Sequence, residues 1–427
     1  MSDATHATDP THGADRPESR AWHVALIGAR EHYAVPRMFA QRSTLARLYT
    51  DFWARDWMRP LLGRGPGSMR RLAGRRHDEI AAPLVRALPA TRFIANMRRI
   101  RGAHASTEAL FDAYADEGRE FASWVARLIE RDDVDPARTA YLGFTSAALE
   151  TLELLAHRGV PTVVDQIDPA VVEEDLVAEE AARWPGWAEL PGRSSDRYRE
   201  RVRAEWAAAT VVLVNSEWSR DALIAQGVPS AKIVVVPLAY EQPAWKEPKR
   251  PAGPTLRVLW LGQVNLRKGF PYLVEAARAL PKVQFDVVGP LKVSQTAVAA
   301  CPSNMTLHGA KPRVETERIY RESDVFVLPT ISDGFAITQL EAMAAGLPVI
   351  ATASCGRVVT EGRDGFIVPP RDGQALAAAI ARLDADRALL ASMQNEAPRA
   401  LARYTLGAVH ETLMKELRRT GCFGHRR

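Results

Sequence analysis

The chain has 427 residues, 47% hydrophobic and 25% charged, which is too long for one hydrophobic core and too apolar for a disordered polymer. Its 56 Lys and Arg stand against 51 Asp and Glu, a mild basic bias that suits anionic ligands without specifying nucleic acid. The three cysteines, Cys301, Cys355 and Cys422, are far apart and odd in number, which excludes a disulfide framework and a zinc-finger spacing and fits a reducing compartment.

Residues 1–20, rich in Asp, Thr, His and Pro, read as a disordered tail without the apolar centre of a secretory signal. No uncharged apolar run reaches the roughly 18 residues of a spanning helix, so a cytoplasmic protein is expected, with peripheral contact at the inner face of a membrane left open. A first α/β unit is expected over 21–240. Its strands fall at 23–28, 140–144, 161–165, 209–215 and 232–237. Helical stretches at 146–157, from Val171, and at 217–226 lie between them. Each crossover is about a dozen residues or longer, so the sheet is expected to be parallel and doubly wound. Four prolines with scattered charge over 241–254 mark a linker. A second unit spans 255–405, with strands at 256–262, 283–289, 324–329, 347–351 and 365–368, and a helix and tail occupy 406–427. The expected fold class is α/β, with two Rossmann-like doubly wound domains facing a cleft, where ligands bind at the carboxyl ends of the strands.

Two loops of the second unit carry the chemistry. After the strand ending at Pro329, Gly334 permits a tight turn and the chain enters a helix near Thr338. The free N–H groups of Phe335, Ala336, Ile337 and Thr338 and the helix dipole make an anion site there. Asp333 and Glu341 flank it and can accept hydrogen bonds from hydroxyls. Thr338-Gln-Leu-Glu341 also spells a capping box, a purely structural alternative. The second loop, Gly262-Gln-Val-Asn-Leu-Arg-Lys-Gly269, follows the first strand of the unit. Arg267 and Lys268 there can neutralise a departing diphosphate, with Gly262 and Gly269 letting the backbone approach.

On these residues the chain resembles the GT-B glycosyltransferases of family 4, over about 257–383. Asp333, seven residues, then Glu341-Ala-Met-Ala-Ala-Gly-Leu-Pro-Val matches the family's paired-carboxylate signature. The resemblance implies a retaining transfer from a nucleotide-diphosphate sugar, with no cofactor and no metal required. It implies that Glu341 holds the ribose, that Asp333 holds the donor sugar's hydroxyls, and that Lys268 contacts the diphosphate opposite the amides of 335–338. Three departures stand out: aspartate at 333 where glutamate is usual, Gln263 where a basic residue usually follows the glycine, and Arg357 near a common glutamate position.

The acceptor side is less legible. His32, after the first strand, and Asp165 and Asp168, after the third, are the candidates for orienting a hydroxyl acceptor, be it a glycan, a glycolipid or a small molecule. An aspartate in such a loop also serves as a turn or cap residue. Asp133-Val-Asp135 matches the metal-binding Asp-x-Asp of another glycosyltransferase fold, but its polar surroundings point to a solvated turn. The arginine-rich stretch within 51–104, with Trp53, Trp57, Leu61 and Leu62 interleaved, is a candidate for contact with an anionic lipid surface. A solvated basic face is the plainer account, and nucleic acid ranks last because no RNA-binding signature accompanies the stretch. The rival functional classes are a GT-B protein that binds a nucleotide-sugar without turnover and a dinucleotide-dependent dehydrogenase. The latter lacks Gly-x-Gly-x-x-Gly at either first strand.

Overall fold

The structure, a computed structural model, describes residues 17–188, 192–242 and 253–423. Most of the expected N-terminal tail and of the linker therefore lies outside the described residues.

The first domain is built on seven strands: β1 (Ala21–Leu26), β2 (Leu45–Thr50), β3 (Val85–Ala87), β4 (Thr139–Phe144), β5 (Thr162–Gln166), β6 (Val211–Val214) and β7 (Ile233–Val235). They pair in the order β3-β2-β1-β4-β5-β6-β7, all parallel. The second domain has six: β8 (Arg257–Leu261), β9 (Gln284–Val288), β10 (Met305–Gly309), β11 (Val325–Leu328), β12 (Val349–Thr352) and β13 (Gly365–Val368). Their order, β10-β9-β8-β11-β12-β13, repeats the same reversal, and all are again parallel. Each sheet thus has one switch point, between β1 and β4 and between β8 and β11, where crossovers diverge and leave a crevice.

Both faces of each sheet are covered, which is why these strands are apolar runs rather than alternating ones. In the first domain Trp22, Val24 and Leu26 pack on one side, and Ala25, Tyr141 and Val164 belong to the core on the other. The long helix Thr107–Arg131 covers that second side with Phe121, Val125 and Ile129, spaced four apart on one stripe. Ser106 caps it, its Oγ accepting from Ala109 N–H at 3.1 Å.

The C-terminal helix Leu406–Arg419 returns to the first domain. Its Val409, Leu413 and Leu417 join the core formed by Trp22 and Phe39. Arg20 locks the return: its guanidinium donates to the carbonyls of Pro136, Thr139 and Phe423, each at 3.0 Å. The expected disordered tail over 1–20 is corrected only at 17–20, where Pro17–Ser19 form a turn and Arg20 is only 3% exposed; residues 1–16 lie outside the described residues. A buried guanidinium needs several acceptors, and three carbonyls from two chain segments supply them.

Candidate active site in the interdomain cleft

Both loops singled out in the second domain leave the carboxyl edge of its sheet on either side of the β8/β11 switch point. The Lys268 ammonium pairs with one oxygen of Asp333, and Arg267 lies 3.5 Å from the other. Arg267 also donates to the Ser332 carbonyl at 3.0 Å and reaches Glu173 of the first domain at 3.2 Å. Ser332 Oγ donates to the same Glu173 oxygen at 3.0 Å and accepts from Trp218 Nε1 at 3.1 Å. Six side chains from the two domains therefore form one connected network. Burial pushes the Glu173 carboxyl up to about 6, against the pull of Arg267.

Two glycines make the approach possible. Gly269 has φ +73°, and a Cβ there would sit 1.8 Å from the Pro329 carbonyl oxygen, so the two loops touch only because this residue is glycine. At Gly334 a Cβ would lie 2.0 Å from Ile167 O, which belongs to the first domain. That glycine thus sets how closely the domains meet.

The helix Thr338–Ala344 begins where the sequence places it, but its start is not a capping box. Ile337 holds the cap position and no side chain closes it. Glu341 turns instead toward Tyr320, whose Oη donates to the carboxylate at 3.1 Å, and burial raises its proton affinity. The expected amide cradle of Phe335–Thr338 needs one correction. Ala336 N–H donates to Cys355 O at 3.1 Å, because the loop is anchored to the turn after β12. The amides of Phe335, Ile337 and Thr338 have no backbone acceptor among the described residues. Gly262 follows the end of β8, and exposed Gln263 accepts from Asn265 Nδ2 at 3.1 Å.

The first domain presents carboxyl groups across the cleft. Asp165 lies inside β5 rather than on a loop and is 6% exposed; burial, then the charge of Glu31, pushes its carboxyl up to about 8. Glu31, pushed to about 7 by burial, was missed by the sequence reading. It follows the end of β1 as Lys268 follows the end of β8, and that positional rule could have found it. Glu31, His32 and Tyr33 have φ of 48°, 51° and 62°, three successive left-handed residues without a glycine. Such backbone costs about 1–2 kcal/mol per residue. His32 is exposed on this turn. Asp168 Oδ1 accepts from Gln166 Nε2 and Ala170 N–H, both at 2.9 Å, which is the work of a turn residue. Asp133 and Asp135 precede β4 at the opposite, amino edge of the sheet. There Asp135 Oδ1 accepts from Ala137 N–H at 2.9 Å, so they sit far from the other site residues in the topology. Among the described residues no group of three or more His, Cys, Asp or Glu is placed to hold a metal ion.

Comparison with known proteins agrees with this geometry. Residues 255–386 match the family described as Glycosyl transferases group 1. Over 179 residues the chain is 31% identical to the amylovoran biosynthesis glycosyltransferase AmsK of Erwinia amylovora, covering 38% of this chain and 44% of that one. It is 37% identical over 97 residues to the D-inositol 3-phosphate glycosyltransferase of Corynebacterium urealyticum, 22% of this chain and 23% of that one. The matched region spans less than half the length of these curated relatives. Two solved structures superpose over 93% of the chain. They are sucrose-phosphate synthase from Thermosynechococcus elongatus (TM-score 0.58, 18% identity, 98% of that chain) and Anabaena HepE with UDP (TM-score 0.57, 15% identity, 99% of that chain). At those identities the likeness speaks for the fold: two facing parallel-sheet domains of the GT-B type, the second of them matching a group 1 glycosyl transferase segment.

Proposed function

We propose that the chain is a glycosyltransferase that moves a sugar from a nucleotide-diphosphate donor to a hydroxyl acceptor, in the synthesis of a cell-surface polysaccharide or glycoconjugate. The observation that carries this reading is the meeting of Lys268, Arg267 and Asp333 at the switch point of a group 1 domain, with Glu341 in the first turn of the helix that follows. Lys268 and Arg267 offer positive charge to a diphosphate, and the free amides of Phe335, Ile337 and Thr338 offer donors. Asp333 exchanges its cations for sugar hydroxyls when the donor enters, and Glu341 with Tyr320 takes the ribose.

In the transfer, the bond from the anomeric carbon to the diphosphate oxygen breaks and a bond to the acceptor oxygen forms on the same face. The acceptor's proton passes to the leaving diphosphate, and the configuration is retained. The developing negative charge falls near two fixed cations, each such preorganised contact being worth about 3–4 kcal/mol in the transition state. A divalent ion is not needed for that task, so EDTA is expected to leave turnover unchanged. Loss of activity in EDTA with recovery on adding Mn²⁺ would overturn this part. The whole reading is tested by screening UDP-, GDP- and ADP-sugars for thermal stabilisation of the purified chain, then assaying transfer and donor hydrolysis. Stabilisation without any turnover would favour the non-catalytic binder.

Peripheral contact with an anionic membrane belongs to the same reading. Residues 51–104 hold 12 arginines and 4 acidic residues. Arg55, Arg59, Arg64, Arg70, Arg71, Arg98 and Arg101 are exposed and have no carboxylate partner among the described residues. Among them Trp57 is 66% exposed, Leu61 61% and Ile94 48%. The stretches follow β2 and β3, so they leave the same carboxyl edge that faces the cleft. Arginine heads with exposed apolar neighbours suit a lipid interface.

A further inference from the structure

A chamber of about 1120 Å³ opens beside the network just described, lined by Arg267 and Glu173 but by neither Lys268, Asp333 nor Glu341. It takes Gln263, Asn265, Leu266 and Arg267 from the loop 262–269 and so adjoins the donor loops directly. Its first-domain wall is formed by the start of the helix Thr107–Arg131 and by the helices Val171–Arg183 and Asp196–Ala208. Phe111, Val171, Val177, Tyr198, Val202 and Trp206 give that wall its hydrocarbon and aromatic part. Polar groups share the same helices, with Glu174, Arg199 and Arg203 among them, and others line the rest of the chamber. Asp168 and Glu173 come from the first domain, and Gln263, Asn265 and Lys292 from the second. Gln226, a lining residue, holds a buried side-chain oxygen, Oε1, without a hydrogen bond among the described residues, and the buried Oε2 of Glu174 has Arg199 3.8 Å away. Such oxygens accept from hydroxyl groups and gain nothing from hydrocarbon.

We propose that this chamber binds an amphiphilic glycoside, its sugar hydroxyls at Asp168, Glu173 and Gln226 and its hydrocarbon aglycone against Phe111, Val177 and Val202. A larger glycan is disfavoured because hydroxyls set against valine and phenylalanine would lose water and find no partner. A bare hydrocarbon is disfavoured because it would leave Gln226 Oε1 buried without a hydrogen bond. The volume is at the upper end of the range for small-molecule sites and holds a sugar ring with an attached chain. Glu173 links the two ends of the site: it lines the chamber and also contacts Arg267, which reaches Asp333. A hydroxyl held there faces the donor loops. As an acceptor site the proposal rests on the glycosyl-transfer reading, although binding itself does not.

The test uses the full chain without nucleotide and a series of n-alkyl β-glucosides, methyl to octyl, each below its micelle concentration, with affinity measured by calorimetry. Affinity is expected to rise about fourfold per methylene until the chamber is filled. Val177→Trp, which occupies the chamber, is expected to flatten the series. Phe111→Ala, which enlarges it, moves the plateau to longer chains, and melting curves verify that both variants are folded. A series flat in the unaltered protein, or equally steep in Val177→Trp, overturns the proposal. The two readings fail separately. UDP-sugar binding with a flat series sinks only this inference, whereas a steep series with no nucleotide-sugar bound sinks only the transfer reading.

Discussion

Arg267 of the second domain donates a hydrogen bond to Glu173 of the first across the cleft, at 3.2 Å, while its guanidinium also lies 3.5 Å from Asp333. One side chain therefore ties the meeting of the two domains to the carboxylate proposed to hold the donor sugar. Removing it should affect both. Arg267→Ala is expected to lower kcat/KM by about 10²–10³-fold, the usual loss of one preorganised charge stabiliser. An unchanged rate would remove Arg267 from the mechanism and leave it as a structural tie.

Lys268 has a different neighbourhood, with Asp333 as its only ion-pair partner among the described residues. Lys268→Met should reduce kcat by a similar factor and weaken UDP binding, because in the proposed reading the cation acts on the diphosphate in both ground and transition states. Single-turnover rates and UDP titration separate the two effects. Weaker binding with an unaltered rate would mean that Lys268 only holds the donor.

Gly334 offers a test of closure that leaves the chemistry intact. A methyl group there meets Ile167 O at 2.0 Å, and the clash lies between domains rather than inside one. Gly334→Ala should therefore shift the melting temperature little while holding the cleft open. Small-angle scattering should show a larger radius of gyration, and turnover should fall well over tenfold. A compact variant with full activity would show that the domains close along another path.

Asp165 makes stability depend on pH. Burial and the neighbouring Glu31 raise its carboxyl from the usual 3.8 to about 8, so the folded chain keeps a proton that the unfolded chain releases. This group's contribution is complete below pH 4 and is lost as pH rises through 8. Glu31, raised to about 7, works in the same direction. The melting temperature should fall between pH 5 and 8, and should fall less in Asp165→Asn, which cannot ionise. Parallel curves for the two proteins would contradict this account.

The arginine-rich rim predicts sedimentation with phosphatidylglycerol vesicles at low salt and little with phosphatidylcholine. Each exposed arginine near the surface adds about 1 kcal/mol, so Arg70→Ala with Arg71→Ala should weaken binding roughly thirtyfold. Trp57→Ser should weaken it through lost insertion without altering the salt dependence. Absence of binding at low salt would leave the stretch as a solvated face.

Much of this fold is legible in local pattern. Strands such as Val325–Leu328 and Gly365–Val368 are apolar runs between helices, because a parallel sheet covered on both faces leaves no polar side to show. The loop from Ser332 into the helix at Thr338 is legible for a similar reason: glycine, carboxylate and helix start are neighbours in sequence. Less is visible where a strand carries side chains of mixed character or lies at a sheet edge. Leu45–Thr50 carries Arg47, Val85–Ala87 is mostly exposed, and Met305–Gly309 is the last strand at its edge, so none gives a clean apolar run.

What the sequence by itself determined is the presence of two parallel α/β units and the residues at the ends of their strands, since periodicity encodes which face each element buries. Tertiary structure alone decided that Glu173 meets Arg267, 94 positions away, that Gly334 rests on Ile167, and that Glu31 faces Asp165. It also decided that the C-terminal helix completes the first domain's core. Local propensity acts over a few residues, whereas these contacts depend on how two separately folded sheets are set against each other, and no short-range pattern records that.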